Sequence, residues 1–102
     1  MQKKRSRSKK VANVRRFYYN INGERWTLYH TYDIDTNYHG ITLYRRKQNF
    51  ISLYLTDRDL LETVIHEIFH ASRPELSERT VIAISSAIAR ILWKMGFRKK
   101  TE

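Results

Sequence analysis

The chain contains no cysteine, which excludes disulfide bonds and thiolate metal sites together. Any metal it holds must be bound by histidine and carboxylate. No apolar run approaches the roughly 20 residues that a membrane-spanning helix needs, so no membrane partner is expected. The charged N-terminus lacks the apolar stretch of a secretory signal, and the cytoplasm is the expected compartment. Acidic residues are missing altogether from residues 1–16, which carry eight basic side chains. Beyond them stand 12 basic and 10 acidic residues, so the net charge of +10 is concentrated at one end.

Residues 1–14 read as a disordered basic arm, charged and serine-containing with no apolar period. Lys3, Lys4, Arg5, Arg7, Lys9 and Lys10 are its candidate contacts to nucleic acid or another polyanion, with residues 1–16 as the reach of that surface. If each of the six neutralised a phosphate, affinity would fall about 10³-fold between 50 and 200 mM salt. A solubilising tail without a partner is the alternative.

Residues 15–98 read as one domain of ordinary apolar content, at a length that supports a modest core. Aromatic and β-branched residues crowd Phe17 to Tyr32, and Asn22-Gly23 in their midst is a strong hairpin signal. Trp26, Leu28, His30 and Tyr32 alternate with Thr27, Tyr29 and Thr31, as the two faces of a strand do. Ile41–Arg45 and Phe50–Leu55 read as a second strand pair, joined by Arg46–Asn49. The simplest assembly is an antiparallel sheet of three or four short strands.

The period then changes. Thr56 is placed to cap a helix, with Asp57 and Asp59 at its positive end. Leu60, Leu61, Val64, Ile65, Ile68 and Phe69 give that helix a broad apolar surface, so it should be well buried. Pro74 ends it near Ala71–Arg73. Ser77 caps a second helix in which Val81, Ile84, Ile88, Ile91 and Leu92 recur at helical spacing, and Gly96 suits its stop. The predicted fold class is α+β: a small antiparallel sheet followed by two packed helices, the first bearing the chemistry.

That chemistry lies in His66-Glu67-Ile68-Phe69-His70. Side chains four residues apart share a helix face, so both imidazoles can reach one ion. Glu67 stands about 100° round the helix from His66. It is placed beside the ion as a general base rather than as its first ligand. Zinc (Zn2+) is the expected cofactor, because it acidifies a bound water that a neighbouring carboxylate can deprotonate. A third ligand is required, and no histidine follows His70. Glu78, in the first turn of the second helix, is the leading candidate; Glu75, on the connecting turn, is its competitor. Tyr29, His30, Tyr38, His39, Tyr44 and Tyr54 are candidates by type for stabilising an oxyanion. Two histidines packed beside a core, with Glu67 in water, are the alternative without metal. Each ring nitrogen would then need another partner.

From Gly40 to Arg98 the chain resembles minimal zincin-type metallopeptidases. The likeness rests on "NFISLYL", "LLETVIHEIFHA", "SRPELSE" and "VIAISSAIARILWKMGF". It is strongest to small HExxH proteins of phages and mobile elements, and more distant to the ImmA/IrrE and SprT-like groups. The resemblance implies His66 and His70 as ligands, Glu67 as general base, Glu78 as third ligand, and a protein or peptide substrate. It also implies a setting that can include an infected host cell. The chain departs from SprT-like enzymes in lacking a further downstream histidine.

Overall fold

The computed structural model describes residues 14–35 and 37–100. The expected disordered arm, with Lys3, Lys4, Arg5, Arg7, Lys9 and Lys10, lies outside the described residues. Four strands precede two helices: β1 (Arg15–Ile21), β2 (Glu24–Thr31), β3 (Gly40–Leu43), β4 (Gln48–Ser52), α1 (Asp57–Ser72) and α2 (Glu78–Lys94). The architecture is α+β, as expected. No helix among the described residues is long and apolar enough to cross a membrane.

The hairpin at Asn22-Gly23 forms, with both residues at positive φ (53° and 76°). These values match the primed turn whose twist suits an antiparallel pair. Here the asparagine does more than turn the chain. Its Nδ2 donates to the Ser72 carbonyl at 2.7 Å, tying the hairpin to the end of α1.

The sheet corrects one expectation. It is mixed, with strand order β1-β2-β4-β3, and β2 pairs with β4 in parallel. The β1–β2 and β3–β4 pairs are antiparallel, but β4 enters between β2 and β3, and β3 takes the edge. Burial accounts for this. Strand β4 carries Ile51 and Asn49, both fully buried, whereas every residue of β3 is only half-buried. The more deeply buried strand takes the place with neighbours on both sides.

Register assigns the faces. Phe17, Leu28, Asn49 and Thr42 lie in one row across the four strands, with Tyr19 and Trp26 on the same face beside them, and Asn49 and Thr42 both bond to α1. This inner face therefore carries the helix. Leu28, His30 and Ile51 on this face are buried.

Both helices end where expected, but their caps differ. Ser77 Oγ accepts from the Thr80 amide at 3.1 Å, a true N-cap. Thr56 sits at the corresponding place in α1, yet its hydroxyl makes no capping bond. At the end of α2 the Gly96 and Phe97 amides donate to the Trp93 and Leu92 carbonyls, with Gly96 at φ 97°. This is a Schellman closure, which needs a left-handed residue.

Helix burial also departs from the expectation. The deeply buried residues of α1 are Thr63, Glu67 and Ala71, and those of α2 are Val81, Ser85 and Ala89. Each set recurs every four residues, so each helix meets its neighbour along a strip of mostly small or polar side chains. The larger residues Leu60, Leu61, Val64, Ile65, Ile68 and Phe69 flank that strip and are only half-buried. On α2, Ile88 and Ile91 are exposed rather than packed. A single small sheet cannot cover all sides of two helices.

The caps give a paired prediction. Ser77→Ala is expected to lower unfolding free energy by about 1 kcal/mol, whereas Thr56→Ala should cost clearly less. Urea denaturation of the two variants beside the parent chain measures the difference.

Candidate metal centre

The phase of α1 about its own axis positions the site. Glu67 points at the sheet and is 6% exposed. Residues advance about 100° each along a helix. His66 therefore falls about 100° to one side of Glu67, and His70 about 60° to the same side. Both rings leave α1 by one flank, over the opening that α2 begins to close. Five residues, 73–77, separate α1 from α2 and bring Glu78 to that flank.

The three donors converge. His66 Nε2 and His70 Nε2 are 3.1 Å apart, with ring planes at 75°. The Glu78 carboxylate straddles them, Oε2 at 3.1 Å from His66 Nε2 and Oε1 at 2.9 Å from His70 Nε2. Ligands at zinc-like distances in a tetrahedral shell stand about 3.3 Å from one another. The observed spacings are close to that edge. Two ring nitrogens aimed at each other beside a carboxylate cannot all be satisfied by lone pairs; they need a proton or a cation between them. His66, His70 and Glu78 thus form a group that could hold a metal ion.

Glu75, the competing carboxylate, turns away to Arg73, whose Nε donates to Glu75 Oε2. Its carboxyl is held below the ordinary range by its own backbone N–H and by Arg73. It is not part of the His66–His70–Glu78 group.

Glu67 is held by a chain of donors that sequence reasoning missed. The Thr42 hydroxyl lies 2.6 Å from Glu67 Oε1. Asn49 Nδ2 donates to Thr42 Oγ1 at 3.0 Å and to the Glu67 carbonyl at 3.1 Å. Tyr19 in turn donates its hydroxyl to Asn49 Oδ1. Burial pushes the Glu67 carboxyl above its ordinary range, opposed by the Thr42 hydrogen bond and by His66 and His70. Burial and the nearby Glu67 charge push the Tyr19 hydroxyl up to about 12. The signal for this clamp was present in part: Thr42 lies in an expected strand, but Asn49 was expected in the connecting turn, and only the β3–β4 register sets it opposite Thr42.

Gly40 was missed as well. A Cβ there would stand 2.8 Å from Glu67 Cγ and 2.9 Å from its Oε2. Only glycine lets β3 and the Glu67 side chain approach so closely.

In front of these groups opens a cleft of about 430 Å³, whose lining includes Tyr38, His39, Gly40, His66, Glu67 and Glu78. Among the oxyanion candidates, Tyr38 and His39 therefore stand at the cleft. The hydroxyl of Tyr44 is pushed up by burial and by the charges of Glu67 and Glu78. The others lie elsewhere. Tyr29 stacks on Phe50, Tyr54 packs on Tyr32, and His30 is buried with its pKa lowered by desolvation and by Lys99.

Two predictions test the clamp. Gly40→Ala overpacks the Glu67 contact and is expected to cost about 1–3 kcal/mol of stability. In a Glu67→Ala background the same change should cost much less, and a double-mutant cycle by urea denaturation reads that coupling. A raised folded-state pKa means that Glu67 favours folding while protonated and that this contribution is lost as pH rises through the folded value. Glu67→Gln should therefore raise the melting temperature in chelator at neutral pH, with the gain vanishing below the ordinary carboxylate range.

Comparison of the chain with protein-family models, with curated proteins and with solved structures finds no match.

Proposed function

We propose that the chain is a zinc-dependent hydrolase of zincin type that acts on peptide bonds. One observation carries the reading: two imidazole nitrogens and a carboxylate meet within about one coordination shell, at a cleft that Glu67 also lines. A donor set of two nitrogens and one carboxylate, without sulfur, is the kind that catalytic zinc takes with a position left open. Surface acid clusters do not in general bring two histidines and a third donor so close together.

His66, His70 and Glu78 would hold the ion. Once bound, it supplies a Lewis acid that makes a water acidic and polarises a substrate carbonyl. The protein's own groups do the rest. Thr42 fixes one carboxylate oxygen of Glu67, and Oε2, over Gly40 at the cleft wall, is left to accept a proton and pass it on. Partial desolvation suits this task, because a carboxylate held above its ordinary pKa both accepts and returns a proton more readily. Strand β3 forms the edge of the sheet beside this cleft. Its outward backbone groups, unpaired among the described residues, can hold an extended peptide as an added strand, which favours a peptide substrate over a small ester.

Elemental analysis should find one zinc per chain in the wild-type protein. His66→Ala and Glu78→Ala are expected to lose most of it. Glu67→Gln should keep the metal while losing peptide hydrolysis by about 10²–10⁴-fold, the range of a general base. A wild-type protein that binds no zinc at neutral pH would sink the proposal.

A further inference from the structure

The sheet has a second face, opposite the helices, and the proposed hydrolase does not use it. Register places Arg16, Tyr29, Phe50 and Ile41 in one row across the four strands, and Tyr18 and Thr27 in the next. Thr42 and Asn49, the residues that bond to α1, have the opposite parity, so these rows point away from the helices. The rings on this face fall in two groups, Tyr29 with Phe50 and Arg16, and Tyr18 with Arg25. Tyr29 and Phe50 stack with centroids 4.9 Å apart and planes 13° from parallel. The Arg16 guanidinium lies 5.7 Å from the Tyr29 centroid, and the Arg25 guanidinium 4.7 Å from that of Tyr18. Tyr18 is 58% exposed.

Charge on this face has one sign. None of the residues that the register puts there is acidic, while Arg16 and Arg25 stand on it, exposed. No carboxylate among the described residues pairs with either guanidinium. Arg45 and Arg46, exposed in the β3–β4 turn, extend the charge at the end next to Thr27. A solvated sheet face normally alternates to small polar residues. Cross-strand ring packing steadies such a face, but it explains neither the exposed Tyr18 nor the missing acids.

We propose that this outer face binds single-stranded nucleic acid, with bases against the Tyr18, Tyr29 and Phe50 rings and phosphates on Arg16 and Arg25. An arginine lying on a ring keeps the N–H donors at its rim free for phosphate, and the ring holds it in place beforehand. Rings beside guanidiniums on an open sheet form a stacking platform that is tolerant of sequence. Four strands span about 14 Å, room for a few splayed nucleotides. A duplex has its bases stacked away and offers nothing to the rings. This surface is separate from the basic residues 1–16 apart from Arg16, and it does not depend on the metal.

The test uses the full chain and a fluorescently labelled 12-nucleotide oligothymidylate, followed by anisotropy over a salt series. A duplex of equal length and an oligoglutamate serve as competitors. The single strand should bind more tightly than the duplex, and oligoglutamate should compete weakly. Tyr18→Ala, at an exposed position, should weaken the single strand at least about 5-fold and leave the duplex unchanged. Arg16→Gln with Arg25→Gln should reduce the salt slope by about 1.4. Replacing Lys3, Lys4, Arg5, Arg7, Lys9 and Lys10 by glutamine should lower affinity overall but keep the Tyr18 effect. Circular dichroism confirms that each variant folds. Equal affinity for single strand and duplex, with no effect of Tyr18→Ala, would overturn the proposal in favour of non-specific charge. Equal competition by oligoglutamate would overturn it in favour of an acidic polypeptide.

Discussion

Glu67 joins the helical layer to the sheet, and the candidate site depends on that contact. Its carboxylate meets Thr42 of β3, and its carbonyl accepts from Asn49 of β4. These bonds settle the rotation of α1 about its axis. With Glu67 turned to the sheet, the helical advance sends His66 and His70 to a common flank. A different phase would point one ring at the sheet or both at open solvent. The short connection to α2 then brings Glu78 to the same flank from outside. One buried acid, itself not a donor in the group, thus arranges three donors around it.

The arrangement carries an energetic tension. A carboxylate taken out of water is costly unless it is well paired, and Glu67 has one hydroxyl donor and two nearby imidazoles. The surrounding core is small. Ile51, Val81 and Ala89 are fully buried, but so are Asn49 and Ser85. An apolar residue at position 67 would pack between α1 and β3 at lower cost. A buried carboxyl with a raised pKa beside a cleft marks Glu67 as a candidate functional residue.

The sheet separates two chemistries. Its inner face carries a hydrogen-bonded chain of phenol, amide and hydroxyl groups from Tyr19 through Asn49 to Thr42, which ends on the carboxylate. Its outer face presents rings and guanidiniums without an acid. Alternation along each strand makes this division automatic, since neighbours in sequence face opposite ways. Asn49 and Phe50 illustrate it: one bonds to the helix, and the next stacks with Tyr29 on the other side.

Features governed by near neighbours were legible in the order of residues. The turn at Asn22-Gly23 needs positive φ, Ser77 offers its oxygen three residues ahead, Gly96 alone closes the Schellman turn, and His66 and His70 share a face because a helix repeats every 3.6 residues. Each is decided within five positions of chain, where geometry leaves few choices. What needed the tertiary structure was decided between distant segments. The entry of β4 between β2 and β3, the approach of the Thr42–Asn49 pair to Glu67, and the close contact allowed by Gly40 all depend on how the strands pack with one another and with α1. The same holds for the half-buried flanks of α1 and for Thr56, a residue of capping type whose hydroxyl makes no cap. Strand order and burial are collective outcomes of packing, and no local pattern encodes a competition between segments that are far apart along the chain.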